Sequence, residues 1–367
     1  MVYLDEIMNR RELIRRLDAG YVRSQQHPTD SLTIFNYTNK TQFDNEWDDV
    51  TEQCRGLIIN LYSEEVVSRP FRKFHNWEQM PPVVQADLLK QKAVPLIKWD
   101  GSLGILYRLH TGEYAIATRG SFTSPQAKHA TELLRECYAE FEPIMGLTYL
   151  FEIVFPENRI VVDYKDMDDL VLLAVIDTET GGTLPPGPYD WPGPWNEPLT
   201  QFETLADVLA APQRENEEGF VVWFPKSDMR VKWKFDEYKR LHRILTNTSS
   251  LSVWEALSSG QSLDAIIEHV PDEFYHWVKG IVHGLRHAFA DIETDARDEY
   301  DWIMKRVRRP EEDVTKRRKE FALLACESPY KDVLFGLYDG KDIAPRIWKR
   351  IRPQYEVPWT VQPEETA

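Results

Sequence analysis

The 367 residues, 42% hydrophobic and 12% aromatic, exceed what a disordered chain carries and suffice for two globular domains at roughly 150 residues each. The formal charge of −16 argues against a protein that coats nucleic acid non-specifically, while leaving room for a local basic groove. No apolar run reaches the ~18 residues of a membrane helix, and the first residues lack the basic-then-apolar layout of a signal peptide. Cys54, Cys137 and Cys326 are widely spaced and form no metal pair, so a cytoplasmic protein with reduced thiols is expected.

Leu4, Ile7, Leu13, Ile14 and Leu17 fall near helical spacing, which predicts one amphipathic helix over residues 4–18. Residues 31–37 alternate like a strand and end on Tyr37, an aromatic that either fills a sheet core or stacks on a base. Residues 54–59 and 66–76 read as two strands of a hairpin turned at Ser63-Glu64-Glu65. Arg55 stands at the entry of the first; Arg69, Arg72 and Lys73 crowd the second. Such cations either protect a sheet edge or clamp phosphate, which arginine does bidentately.

Val94, Leu96 and Ile97 form an apolar run that reads as a buried strand, and Asp100-Gly101 reads as a turn. Lys98 therefore falls at a strand end near backbone N–H groups, unless it is an ordinary surface lysine beside a hairpin. Two short strands (105–109 and 114–118) follow, closed by Arg119-Gly120, and a helix is expected over 125–141. Residues 148–155 form a β-rich apolar run interrupted by one carboxylate, Glu152. Burying an isolated carboxylate costs several kcal/mol unless it is paired. Residues 158–162 and 170–176 are expected to continue the sheet, and the Pro- and Gly-rich stretch 177–198 to form a surface loop.

A helix near 200–211 leads to a strand after Glu217-Glu218-Gly219, a short turn, and a second strand over 229–235. Lys232 and Lys234 share one face of that strand and repel each other unless an anion lies between them. From about 247 the texture becomes helical, with Phe274, Trp277, Val278, Ile281, Leu285 and Ile292 on one stripe, so a domain boundary is placed at Leu245–Ser250. Leu323, Leu324, Val333, Leu334 and Leu337 suggest a further packed pair. The basic runs 305–309 and 316–319 around acidic 311–313 are a solvated helix face or an RNA contact.

One lysine at a strand end, converging cations and two isolated carboxylates, Glu152 and Glu218, suit covalent nucleotide transfer. A free lysine has a pKa of ~10.4, so its amine must be activated. Neighbouring cations and Mg²⁺ would lower that pKa and stabilise charge on a departing pyrophosphate. Carboxylates would hold the metal or accept from a ribose hydroxyl, and Gly101 would let the backbone approach the nucleotide.

Lys98-Trp99-Asp100-Gly101-Ser102, Arg119-Gly120-Ser121, Phe151-Glu152, Glu218-Gly219-Phe220-Val221 and Lys232-Trp233-Lys234 occur in the order of the motifs of the covalent nucleotidyltransferase superfamily. That superfamily comprises DNA ligases, RNA ligases and mRNA capping enzymes. More narrowly, Tyr37, Cys54-Arg55-Gly56, Arg69-Pro70, Lys73-Phe74, Asn158-Arg159-Ile160-Val161 and Asp236–His242 resemble the RNA ligase 1 family, the phage tRNA-repair type. So does a helical second half ending in Leu334-Phe335-Gly336. The likeness covers nearly the whole chain and is firmest over residues 34–242.

The resemblance implies an α+β fold. An antiparallel-sheet adenylyltransferase (ATP-grasp-like ligase) domain would occupy 1–246, and an all-helical domain that helps select RNA or tRNA would occupy 247–367. It implies an ATP-dependent RNA ligase using Mg²⁺ or Mn²⁺, joining RNA 5′-phosphate and 3′-hydroxyl ends through lysyl-AMP and an adenylated RNA 5′ end. A nicked tRNA anticodon loop is the implied substrate. By matching positions, Lys98 would be the nucleophile. Tyr37, Arg55, Lys73, Gly101, Arg119 and Glu152 would bind ATP together with Lys232 and Lys234, with Glu152 on the ribose and the two lysines on phosphate. Glu218 would serve the metal, with Asp264 a further metal position, and Tyr238 matches a position tied to activity.

Two departures are visible. His75 stands where a second aromatic is expected, and Arg119 where the pattern has lysine, which keeps charge but changes geometry. DNA ligases and GTP-using capping enzymes usually append an OB-fold after the last motif, against the helical texture here. A non-catalytic RNA-binding relative would not need Lys98, Glu152, Glu218, Lys232 and Lys234 all intact.

Overall fold

β-branched and aromatic runs with period-two alternation, bounded by Gly, Asp and Asn turns, give the first two thirds of the chain its strands. A computed structural model describes residues 1–267, 270, 272–307 and 314–354. The chain divides into two units, Met1–His242 and a second from Arg243 on, a few residues before the boundary placed from texture and inside the helix Asp236–Asn247.

In the first unit β1 (Val22–Gln26), β2 (Leu32–Tyr37), β3 (Arg55–Asn60) and β4 (Val66–Ser68) form an antiparallel sheet. β5 (His75–Asn76) and β6 (Val94–Ile97) are the outer strands of another sheet, whose inner strands are β11 (Gly219–Phe224) and β12 (Met229–Lys234), in the order β5-β12-β11-β6. Between β6 and β11 in the chain, β7 (Ser102–Arg108), β8 (Tyr114–Thr118), β9 (Leu147–Val154) and β10 (Asp169–Asp177) form the central sheet, in the order β10-β9-β7-β8. Pairing is antiparallel except between β12 and β5. This α+β architecture of antiparallel sheets, followed by helices, is the fold class read from the sequence.

The central sheet is buried on both faces. Leu150 packs with Ile34, Ile58 and Ile105 on one side, while Tyr149 and Phe151 pack with Leu172 and Trp191 on the other. Alternation along β9 therefore puts Glu152 on the Leu150 side. Four expectations change. The helix over 4–18 is two helices, Leu4–Ile7 and Arg10–Asp18, because the Asn9 side chain caps the second by accepting from the N–H groups of Arg11 and Glu12. The strand over 66–76 is laddered only at its two ends, since Pro70 has no N–H to donate. Residues 158–162 are not a strand: the N–H groups of Val161 and Val162 donate to the Asp100 carboxylate instead of to a ladder. The 177–198 loop is not merely surface. It pairs intermittently with β10, where Leu172 donates to the Pro194 carbonyl and Asn196 to that of Leu172, and it buries Trp191.

Gly219 has φ +139°, and a Cβ there would lie 2.1 Å from the Trp233 carbonyl oxygen. Gly219→Ala is therefore expected to cost more than about 2 kcal/mol, read as a lowered midpoint in thermal unfolding.

From Arg243 on, the described residues form helices without strands: Ser250–Ser258, Asp264–Ile267, Asp272–Arg306, Val314–Ala325, Lys331–Tyr338 and Ala344–Arg350. The long helix Asp272–Arg306 buries Phe274, Val278 and Leu285 of the expected stripe, leaves Trp277, Ile281 and Ile292 half-buried, and adds Ala296 and Ile303 toward its end. Phe321 and Ala325 turn the next helix inward, which leaves Leu323 exposed. Residues 308–313 of the basic and acidic runs lie outside the described residues. No helix among the described residues is long and apolar enough to cross a membrane.

Candidate active site

Two ladders bring the central residues together. Ile97 pairs with Phe220 and the Lys98 N–H donates to the Gly219 carbonyl at 2.9 Å, so the lysine after β6 meets the glutamate before β11. Gly219 pairs with Lys234 on the other side, and the Phe235 N–H donates to the Glu218 carbonyl. The Glu218 carboxylate consequently lies between two ammoniums, 2.6 Å from Lys98 Nζ and 2.8 Å from Lys234 Nζ, with its side chain only 2% exposed. This is the anion that two lysines on one strand face called for, although it joins Lys234 to Lys98 and leaves Lys232 aside.

These groups open onto a cavity of about 280 Å³ in the first unit. Of the residues proposed from sequence, Arg55, Gly101, Arg119, Glu152, Lys232 and Tyr238 line it beside the Lys98–Glu218–Lys234 triad. Tyr37 and Lys73 do not line it. The Tyr37 hydroxyl accepts from Lys73 Nζ at 3.4 Å and from an Arg119 Nη at 3.3 Å, so the pair stands behind Arg119. His75 packs edge-on against Trp47, next to Lys73, rather than on the cavity wall. Asp264 begins a short helix of the second unit, and its side chain lies outside the described residues.

The electrostatics correct one expectation. Cations were expected to depress the Lys98 pKa; burial does pull it down, but Glu218 and then Glu152 outweigh this and raise it above the usual lysine value. Glu218 is held below the usual carboxylate range: burial pushes it up, and Lys98 and Lys234 more than offset this. The lysines that are depressed are Lys73, lowered by burial, and above all Lys232, pushed well below its usual value by burial and by Lys98, Lys73 and Arg55. No carboxylate pairs with it among the described residues; its ammonium lies 5.2 Å from the Phe74 ring centre. Burial likewise lowers Arg55, whose Nη1 is buried without a partner. Uncompensated cations at one end of a cavity are a site for an anion.

Glu152 accepts the Gly101 N–H at 2.9 Å. Burial pushes its pKa up to about 8, against the pull of Lys98. Between its ordinary value of 4.5 and about 8 the folded protein holds a proton that the unfolded chain has released, so stability falls as pH rises through that window. Glu152→Gln is therefore expected to gain stability over wild type as pH is raised from 5 to 8, by at most about 1.4 kcal/mol per pH unit, in paired denaturant titrations.

Sequence reading missed Asp100, taken there only as part of a turn. Its carboxylate accepts from the N–H groups of Val161 and Val162 at 2.9 Å each and from the Tyr238 hydroxyl at 2.7 Å. It thereby ties the loop after Lys98 to the helix after Lys234, and gives Tyr238, whose ring lies 5.0 Å from Lys234 Nζ, a structural place. The signal was in the spacing: an aspartate two residues after the lysine, in a motif whose other members are all in the cavity. Gly101 has a reason within the protein, because a Cβ there would lie 2.5 Å from the Ile153 carbonyl oxygen. Asn196, from the Pro- and Gly-rich loop, was also missed; it is buried, lines the cavity, and donates to the Ile97 carbonyl at 2.8 Å.

The chain is similar to several known proteins. An RNA ligase of Rhodothermus phage RM378 is 26% identical over 79% of this chain and 81% of its own length. A protein of Autographa californica nuclear polyhedrosis virus, described as a bifunctional polynucleotide kinase/RNA ligase, is 27% identical over 62% of this chain. This chain spans only 35% of that relative's length. Among solved structures, an archaeal ATP-dependent RNA ligase superposes with a TM-score of 0.46 and 14% identity, over 76% of this chain and 79% of its own. The family model described as RNA ligase, of the T4 RNA ligase 1 type, matches residues 53–240, the stretch that holds the cavity's cations, its carboxylates and the lysine between them, and the chain belongs to that family.

Proposed function

We propose that this protein is an ATP-dependent RNA ligase that seals 5′-phosphate to 3′-hydroxyl ends with Lys98 as its nucleophile. The observation that supports this reading best is the buried Lys98–Glu218–Lys234 triad at the wall of a cavity where two further cations, Arg55 and Lys232, form no salt bridge with a carboxylate among the described residues. A triphosphate supplies that anion, and arginine and lysine suit its terminal oxygens.

In the first step the Lys98 amine attacks the α-phosphorus, forming a P–N bond as the bond to pyrophosphate breaks and the amine loses a proton. A ligand-free site holds Lys98 as an ammonium against Glu218. Once another cation takes up the charge of Glu218, burial and the nearby Lys232 favour the neutral, nucleophilic amine. The oxygen donor of Glu218, together with phosphate oxygens, fits a hard divalent ion such as Mg²⁺ or Mn²⁺, whereas Asp100 is filled by its three donors. Such an ion would neutralise charge on the phosphates. No cage of three or more His, Cys, Asp or Glu side chains exists among the described residues, so substrate oxygens would complete its coordination.

In the second step an oxygen of the RNA 5′-phosphate displaces Lys98 from AMP, forming a 5′–5′ pyrophosphate link. In the third the 3′-hydroxyl attacks the RNA phosphorus and AMP leaves. Glu152, in the cavity lining beside Gly101, accepts from a ribose hydroxyl in this reading. The resemblance to tRNA-repair ligases supports a broken anticodon loop as substrate, selected with the help of the helical residues from 247 on. The free thiols support a cytoplasmic location.

The test is incubation with α-labelled ATP and Mg²⁺, then a chase with 5′-phosphorylated RNA or nicked DNA. Label on the denatured protein that passes to RNA ends is expected. Transfer to nicked DNA alone would reject the RNA assignment, and no label at all would reject the mechanism.

A further inference from the structure

β6 is the outer strand of its sheet, so its outward carbonyls need partners from elsewhere. The end of the Pro- and Gly-rich loop and the residue after it provide them: the Leu199 N–H donates to the Pro95 carbonyl at 2.9 Å, and Asn196 Nδ2 to that of Ile97 at 2.8 Å. Asn196 is itself fixed by its own N–H, which donates to the Leu172 carbonyl at 2.8 Å. The amide orientation of Asn196 follows from these contacts. Turning it over would set two oxygens against each other at Ile97, so Oδ1 must be the end that faces away.

Asn196 is 5% exposed, and that Oδ1 is buried without a hydrogen-bond partner. Two other cavity-lining side chains carry a buried, unpartnered polar atom among the described residues, Arg55 Nη1 and Trp99 Nε1. Both are donors. Asn196 alone is an acceptor. The same lining carries apolar side chains from the segments that Asn196 bridges: Leu172 and Val175 of β10, Leu184, Pro185 and Trp195 of the loop, and Leu96 of β6. An apolar, planar heterocycle with one hydrogen-bond donor at its edge matches such a wall.

We infer that Asn196 is a specificity-determining residue that reads the nucleotide base, its Oδ1 accepting from the 6-amino group of adenine. The inference rests on the nucleotide-binding reading of this cavity. Guanine and hypoxanthine present a carbonyl oxygen at the same position, which would face the Asn196 oxygen, and purine riboside presents only hydrogen. A site built to receive a donor discriminates against analogues that lack it, because its buried acceptor then stays unpaired. The residue immediately before Lys98 is held by the same amide, so base choice and nucleophile placement share one side chain.

The experiment measures equilibrium binding of ATP, GTP and purine riboside triphosphate to the full-length protein in EDTA, alongside metal-dependent labelling. Wild type is expected to bind ATP about tenfold more tightly than purine riboside triphosphate, and GTP more weakly still. In Asn196→Ala, and in Asn196→Ser should the alanine variant fold poorly, the ATP to purine riboside ratio should collapse to near one. A purely structural anchor would instead lower both affinities together and leave the ratio intact, which would overturn the inference. So would a wild-type protein that labels with ATP yet shows no preference for the 6-amino group. Selective binding without any covalent label would support the base reading and reject the ligase chemistry.

Discussion

Lys98→Ala is expected to abolish protein-bound AMP, at least about 10³-fold below wild type, because the other amine on Glu218, that of Lys234, reaches the carboxylate from a different strand. Lys98→Arg is the sharper test. Its guanidinium keeps the charge facing Glu218 but stays protonated at any working pH, so the ion pair survives and the nucleophile does not. Both variants should therefore fail to label while melting close to wild type, since Glu218 remains paired with Lys234. Label retained on Lys98→Arg would move the chemistry to Lys232 or Lys234. The raised pKa of Lys98 adds a signature. Below that pKa the neutral amine increases tenfold per pH unit, so the labelling rate at limiting nucleotide should climb with that slope between pH 6 and 8.

Glu218→Gln should carry the largest stability penalty among the cavity residues. The amide has the shape of the carboxylate but no charge, and it leaves Lys98 and Lys234 facing each other across a site that is 2% exposed at its centre. Removing one member of a buried pair costs about 3–5 kcal/mol. For a chain of this size that corresponds to a fall of roughly 4–7 °C in melting temperature. The sign of its pH dependence is fixed. Glu218 has a depressed pKa in the folded protein, so its contribution is present above its ordinary value of 4.5 and disappears as pH falls through the folded value. The gap between wild type and Glu218→Gln should accordingly narrow in acid. A gap independent of pH would mean that the loss came from packing and not from charge.

The strands that carry these residues were legible because their patterns are local. Lys98 at the end of an apolar run, Glu152 alone within one, and Lys232 and Lys234 two residues apart each mark a position without knowledge of any partner. What misled was also local. Asp100-Gly101 has the composition of a turn, and nothing in its neighbours says that three donors from two distant segments fill its carboxylate. Residues 158–162 are apolar enough for a strand, yet their N–H groups are claimed by that same side chain. The loop after β10 is Pro- and Gly-rich because proline cannot sustain a ladder, but intermittent bonds still fold it against β10 and bury Trp191.

By itself the sequence determined the α+β order of elements, the helical texture from 247 on, the family resemblance and Lys98 as the residue to watch. Tertiary structure decided which charges meet. The sequence reading expected cations to depress Lys98, whereas the register of β6, β11 and β12 sets Glu218 against it and turns the depression onto Lys232. The reason is the range of the forces involved. Strand and helix patterns follow from neighbours a few residues away. A buried pKa follows from groups a few ångströms away, and here the nearest carboxylate lies 120 residues along the chain.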